Sequence, residues 1–131
     1  MVLIEQLLTK DEVAIFREHL DQVSWLDGKG TAMGMSASVK DNAQADANDD
    51  TVKQLANALL AKYGETPKLV SAVLPQKIFP PCFNRYTSGE TYGLHVDGAI
   101  MRIPNSAEVL RSDMSMTLFL SEPDEYEGGE L

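Results

Sequence analysis

The chain has 131 residues, with 11 Lys+Arg against 20 Asp+Glu, a net charge of −9 at pH 7, 44% hydrophobic and 24% charged residues. That is the composition of a single globular domain that buries roughly two-thirds of its unfolded surface. No apolar run approaches the ~20 residues of a membrane span, the acidic balance argues against nucleic-acid binding, which needs basic patches, and the one cysteine, Cys82, excludes an internal disulfide framework and a cysteine-only zinc site.

Residues 1–9 lack a basic n-region, a long apolar core and a small-residue cleavage site, so no secretion signal is read and a cytoplasmic location is expected. Thr9, Lys10, Asp11 and Glu12 have the pattern of a capping box, and Val13, Phe16, Leu20 and Val23 then recur at helical spacing. This predicts an amphipathic helix over 10–23, with Gly28 and Gly30 as breakers beyond it. The acidic, polar stretch 41–50 reads as a loop ending in a helix N-cap at Asp49 or Asp50. Val52, Leu55, Leu59 and Tyr63 form one stripe of a second helix that Gly64 can terminate.

From Leu69 the character turns to β. Short strands are predicted over 76–79 and 82–86, interrupted by Pro80 and Pro81, with a turn at 87–90 that Gly89 serves. Residues 91–97 alternate: Tyr92, Leu94 and Val96 are placed on one face, and Thr91, Gly93, His95 and Asp97 on the other. Residues 103–112, with Pro104, Asn105 and Ser106, read as a loop. Met114, Met116, Leu118 and Leu120 alternate in a further strand, and Glu130 and Leu131 look like the opening of another. Helices first and antiparallel strands afterwards predict an α+β fold with the helices packed on one side of a β structure.

The chemistry concentrates in His95-Val96-Asp97. On an extended strand, residues i and i+2 point the same way with Cα atoms about 6.5–7 Å apart, so an imidazole and a carboxylate can converge on one ion. Nitrogen plus oxygen donors suit iron, manganese or zinc. The same spacing also makes a hydrogen-bonded His–Asp pair on a solvated face, and the tripeptide alone does not choose between them.

The surrounding pattern adds a resemblance. Arg85, Tyr86, Gly89, Tyr92, His95 and Asp97 fit the signature R-Y-x-x-G-x-x-Y/F-x-x-H-x-D, similar to that of the Fe(II)- and 2-oxoglutarate-dependent dioxygenases of the prolyl 4-hydroxylase type. The segments 78–81, 111–113 and 117–131 resemble the bacterial PKHD-type hydroxylases in particular, and the likeness spans nearly the whole chain. It implies helices packed on a double-stranded β-helix, or jelly roll, and an iron centre of two histidines and one carboxylate with open positions for 2-oxoglutarate and dioxygen. His95 and Asp97 would be two of the three ligands. Oxidation of 2-oxoglutarate to succinate and carbon dioxide would drive hydroxylation of a peptidyl or small-molecule substrate, with L-ascorbate as reductant. Tyr86 matches the tyrosine whose hydroxyl bonds the cosubstrate, while a core aromatic is an equal reading of it. Tyr92 faces away from His95 by strand alternation and is read as packing.

The resemblance places a second ligand histidine, and an arginine or lysine that anchors 2-oxoglutarate, beyond Leu131. His19 lies beside the apolar stripe of the first helix and is read as a boundary residue. Arg85, Arg102 and Arg111 do not occupy the anchoring position, and Phe119 and Gly98 depart from the relatives' tyrosine and asparagine. A jelly roll needs about eight strands, and the chain offers roughly half of them. It is therefore expected to be a C-terminally truncated domain over 1–131. Within it, 1–66 is a mainly helical support region and 67–131 carries the first strands and H-x-D. Unpaired strand edges would leave association with other chains open, and His95 and Asp97 would be more exposed than an iron centre should be. The expected function is a hydroxylase of this type, inactive as the 131-residue chain. The alternative is a non-catalytic remnant or interaction module with a weak divalent-metal site.

Three further features carry less. Cys82 is read as a buried, inert thiol. The acidic segment 122–130 lacks calcium-loop spacing and reads as a solvated turn. The pairs Met33/Met35 and Met114/Met116 are read as packing rather than a copper site.

Overall fold

A computed structural model describes residues 1–31, 38–103 and 105–129. The packing expected of Met33 and Met35, the place of Pro104 in its loop and a strand opening at Glu130 and Leu131 lie outside the described residues.

Helix α1 spans Lys10–Leu20. Its capping box forms as expected: the Glu12 N–H donates to Thr9 Oγ1 at 3.2 Å, and the Thr9 N–H donates to Glu12 Oε2 at 2.7 Å. The helix stops three residues short of the predicted end at Val23, because the Trp25 indole N–H takes the Leu20 carbonyl at 3.0 Å as the chain turns into strand β1 (Trp25–Asp27). Helix α2 spans Asp50–Gly64, and the Asp49 carboxylate accepts from the Thr51 and Val52 N–H groups. All four residues of its predicted stripe are buried, Leu59 most deeply at 3% exposure.

The β character expected from Leu69 begins later. Pro67–Val73 is a third helix, α3, with Pro67 in its first turn, where a fixed φ and a missing N–H cost nothing. Leu69 is buried in the core on this helix. Residues 76–79, bracketed by Pro75 and Pro80, make no strand: each proline lacks the N–H a ladder would use.

Two strands fall where only loop was read. Strand β2 (Ala43–Ala45) is the centre of an antiparallel sheet ordered β1–β2–β3, with β3 reduced to Asn84–Arg85. Trp25 faces Ala45 and Ala43 faces Arg85. The polar residues Asn42 and Gln44 are buried here along with Ala45, so burial does not follow the apolar–polar alternation that flags a strand. Gly28, just after β1, leaves no room for a side chain, since a Cβ would stand 1.8 Å from Asn42 Oδ1. Within the predicted 103–112 loop, Val109–Arg111 forms strand β5, paired antiparallel with β4 (Ile100–Arg102).

One apolar cluster joins Leu7, Leu8, Phe16 and Leu20 to the α2 stripe, Leu69, Ala45 and Phe83. The Phe16 and Phe83 rings lie 6.3 Å apart. The strand expected over 114–120 is absent because no strand pairs with it through backbone hydrogen bonds among the described residues; Leu118 and Leu120 still pack on the core, while Met114 and Met116 are exposed. The fold is thus α+β, with helices and antiparallel sheets, and no barrel closes among the described residues.

Among the described residues four ion pairs tie distant segments together: Lys62 with Glu12 at 2.9 Å, Arg17 with Glu125 at 2.8 Å, Lys10 with Glu122 at 3.4 Å and Lys77 with Glu108 at 3.7 Å. Lys62, with the Thr9 backbone N–H, holds the Glu12 carboxyl below its ordinary value of 4.5, and Arg17, with the Glu122 backbone, does the same for Glu125. A carboxylate whose folded pKa is lowered supports the fold fully above its unfolded pKa, and that support is lost as pH falls through the folded value. The melting temperature is therefore expected to drop as pH falls below about 4.5. Melts followed by circular dichroism should show a shallower drop for Glu125→Gln; identical slopes would contradict the contribution of this pair.

Candidate metal centre

The site grows out of the segment that follows β3. The turn at 87–90 closes with the Glu90 N–H donating to the Thr87 carbonyl at 2.9 Å and with Gly89 at φ 88°, a conformation glycine adopts without strain. The chain then pairs briefly with residues 39–41. The Asp41 N–H donates to the Thr91 carbonyl at 2.7 Å, the Gly93 N–H to the Val39 carbonyl at 2.9 Å, and Lys40 faces Tyr92.

Pairing ends at Gly93 and the chain bends at Leu94, so the strand predicted over 91–97 does not form. Strand alternation holds only for an extended chain. With the bend, Tyr92 does not face away from His95. Its ring stacks on the imidazole at a centroid distance of 3.7 Å and an interplanar angle of 11°. Leu94 and Val96 are exposed.

His95 and Asp97 do come together. His95 Nε2 stands 3.3 Å from Asp97 Oδ1, and His95 Nδ1 stands 2.7 Å from the Gly93 carbonyl oxygen. A carbonyl only accepts, so this contact assigns the proton to Nδ1. In the neutral ring Nε2 then presents a lone pair to a carboxylate oxygen, and two acceptors at that distance need a proton or a cation between them. Donor atoms bound side by side at about 2.0–2.2 Å from one ion are separated by roughly 3 Å. The pair thus fits two positions of a divalent-metal centre. Among the described residues no group of three His, Cys, Asp or Glu side chains converges. The His95 side chain is 23% exposed and that of Asp97 60%.

Tyr86 is a surface residue at 46% exposure, so the core-aromatic reading does not describe it. Local burial of its hydroxyl raises its pKa, Asn42 opposes this and Tyr92 adds to it. The phenol therefore stays protonated at neutral pH and beside Tyr92, able to donate a hydrogen bond. His19 is on α1 with its ring nitrogen Nδ1 2.9 Å from the Ile15 carbonyl, apart from this site. Arg85 lies over the Trp25 ring at 4.3 Å, and Arg111 pairs with Asp113 at 2.8 Å. Cys82 corrects its reading in part: the residue is exposed, yet crowding around the sulfur pushes the thiol pKa up, with Lys40 and Gln44 pulling it back. It stays a protonated, poor nucleophile at neutral pH.

Three residues here were not singled out by sequence. Lys40, Asn42 and Gln44 are buried polar side chains. The Lys40 ammonium lies 5.3 Å from the Tyr92 ring centroid, and burial lowers its pKa. The only signal in the sequence is their alternation with Asp41, Ala43 and Ala45.

No family model matches the chain. Curated relatives that do match are hydroxylases by name. The chain is 66% identical over all 131 residues to a PKHD-type hydroxylase of Shewanella frigidimarina and 64% identical to one of Alteromonas mediterranea, covering 58% of each. It is 46% identical over 128 residues, 98% of its length, to one of Acinetobacter baumannii, covering 56% of it. In sequence the chain is similar to PKHD-type hydroxylases, and it spans a little over half the length of the curated relatives it matches. No helix among the described residues is long and apolar enough to cross a membrane.

Proposed function

We propose that the chain carries part of the active site of an Fe(II)- and 2-oxoglutarate-dependent hydroxylase on the first strands of a jelly roll. The observation that carries this is the 3.3 Å approach of His95 Nε2 to Asp97 Oδ1 within the H-x-D motif. His95 and Asp97 would hold iron, which when bound supplies the redox chemistry that couples dioxygen to 2-oxoglutarate oxidation. The Tyr86 hydroxyl would donate to the cosubstrate. L-ascorbate would keep the iron reduced. The substrate would be peptidyl or a small molecule, met in the cytoplasm.

The 131-residue chain is proposed not to turn over 2-oxoglutarate, because among the described residues two donors converge rather than three. Its other histidine, His19, is held on α1. Incubation with Fe(II), 2-oxoglutarate and ascorbate is expected to give succinate no faster than the His95→Ala chain does. Succinate above that control would overturn the proposal.

An interaction role is favoured by one observation: Leu94 and Val96, beside the site, are 103% and 90% exposed. Apolar side chains so placed favour association. Sedimentation of the chain across a hundredfold concentration range is expected to show self-association that Leu94→Ser with Val96→Ser reduces. A monomer throughout would remove this reading.

A further inference from the structure

We propose that Tyr92, with Lys40 packed near its ring, is a positioning residue that fixes the plane and tautomer of His95; its effect on metal binding rests on the reading of His95 as a ligand. Three contacts converge on this imidazole. The Gly93 carbonyl takes the proton of Nδ1 at 2.7 Å, Asp97 faces Nε2 at 3.3 Å, and the Tyr92 ring lies parallel to it at 3.7 Å. The hydrogen bond alone pins one atom and leaves the ring free to swing about it. The stack removes that freedom and keeps Nε2 turned to Asp97.

Tyr92 can act this way because it is itself held. It sits in the bridge to Lys40, flanked by the hydrogen bonds of Asp41 to Thr91 and of Gly93 to Val39. The Lys40 ammonium lies 5.3 Å from its ring centroid on a side chain that is 7% exposed. A cation near an aromatic ring is attracted to its face. The closeness of Gly93 to Val39, where a Cβ would come within 3.2 Å of the Val39 Cβ, keeps the two segments in register. Partners that orient a ligand ring without touching the metal are typically worth about 10–100-fold in metal affinity.

The test uses the full 131-residue chain, labelled with nitrogen-15, as the parent and as Tyr92→Phe, Tyr92→Leu, Lys40→Met and His95→Ala. Imidazole spectra without metal, recorded with the rings neutral and with Asp97→Asn added to every chain so that an amide N–H can donate to Nε2, report the tautomer of His95, assigned by its loss in His95→Ala. Mn(II) titration reports affinity. The parent and Tyr92→Phe are expected to show a single Nδ1–H tautomer and affinities within about twofold of each other, while Tyr92→Leu shows mixed tautomers and binds roughly tenfold more weakly. Lys40→Met should lie between them; if Tyr92→Leu does not fold, the same tautomer reading of Lys40→Met decides. A single unchanged tautomer in Tyr92→Leu would overturn the inference. Should the parent bind Mn(II) no better than His95→Ala, the metal reading fails, and the tautomer still decides whether Tyr92 positions the ring.

Discussion

His95→Ala is expected to abolish Mn(II) binding by the 131-residue chain, and Asp97→Ala to weaken it at least tenfold, while His19→Ala leaves it unchanged. The asymmetry follows from the geometry. Nδ1 of His95 is committed to the Gly93 carbonyl, so Nε2 is its one free donor, and it already faces Asp97 Oδ1 at 3.3 Å. Removing the imidazole leaves a lone carboxylate that is 60% exposed, and water competes with it for any ion. Removing the carboxylate leaves a preoriented nitrogen, which retains residual affinity. Each tenfold loss corresponds to about 1.4 kcal/mol. Isothermal calorimetry on the three variants checks the ranking. If His95→Ala binds as the parent does, the two side chains are a hydrogen-bonded pair, and the metal reading is withdrawn.

Leu59→Ala is expected to cost about 2–5 kcal/mol of folding stability, a large part of the ~5–15 kcal/mol that holds a domain of this size. Leu59 is the most buried residue of the cluster, at 3% exposure on the inner stripe of α2. Truncation there removes the transfer free energy of the lost carbons and leaves a cavity in the buried cluster. Leu94→Ala is the matched control: Leu94 is fully exposed, and the change should stay within about 0.5 kcal/mol. Urea unfolding midpoints compare the two. Equal midpoints would mean that the cluster around α2 is not the core of the chain.

Sequence alone determined the parts of this protein whose causes are local. The capping box at Thr9 and Glu12 and the Asp49 cap fix where α1 and α2 begin through bonds spanning two or three residues. The stripe Val52, Leu55, Leu59 and Tyr63 fixes which face of α2 is buried, because helical periodicity ties spacing to direction. The H-x-D motif and its flanking residues led to the hydroxylases that the chain's relatives resemble by name, and they named the two side chains that converge.

Tertiary structure decided whatever depends on partners far away in the chain. A short strand at Ala43–Ala45 exists because Trp25–Asp27 and Asn84–Arg85 flank it, and neither neighbour leaves a mark on its own composition. Leu118 and Leu120 keep the core contacts their alternation suggested, yet form no strand, since alternation chooses a face and only a hydrogen-bonded neighbour makes a ladder. Tyr92 is the clearest case. Alternation turns it away from His95 only while the backbone stays extended. Pairing with residues 39–41 ends at Gly93, the chain bends, and the ring that sequence assigned to packing lies against the imidazole instead.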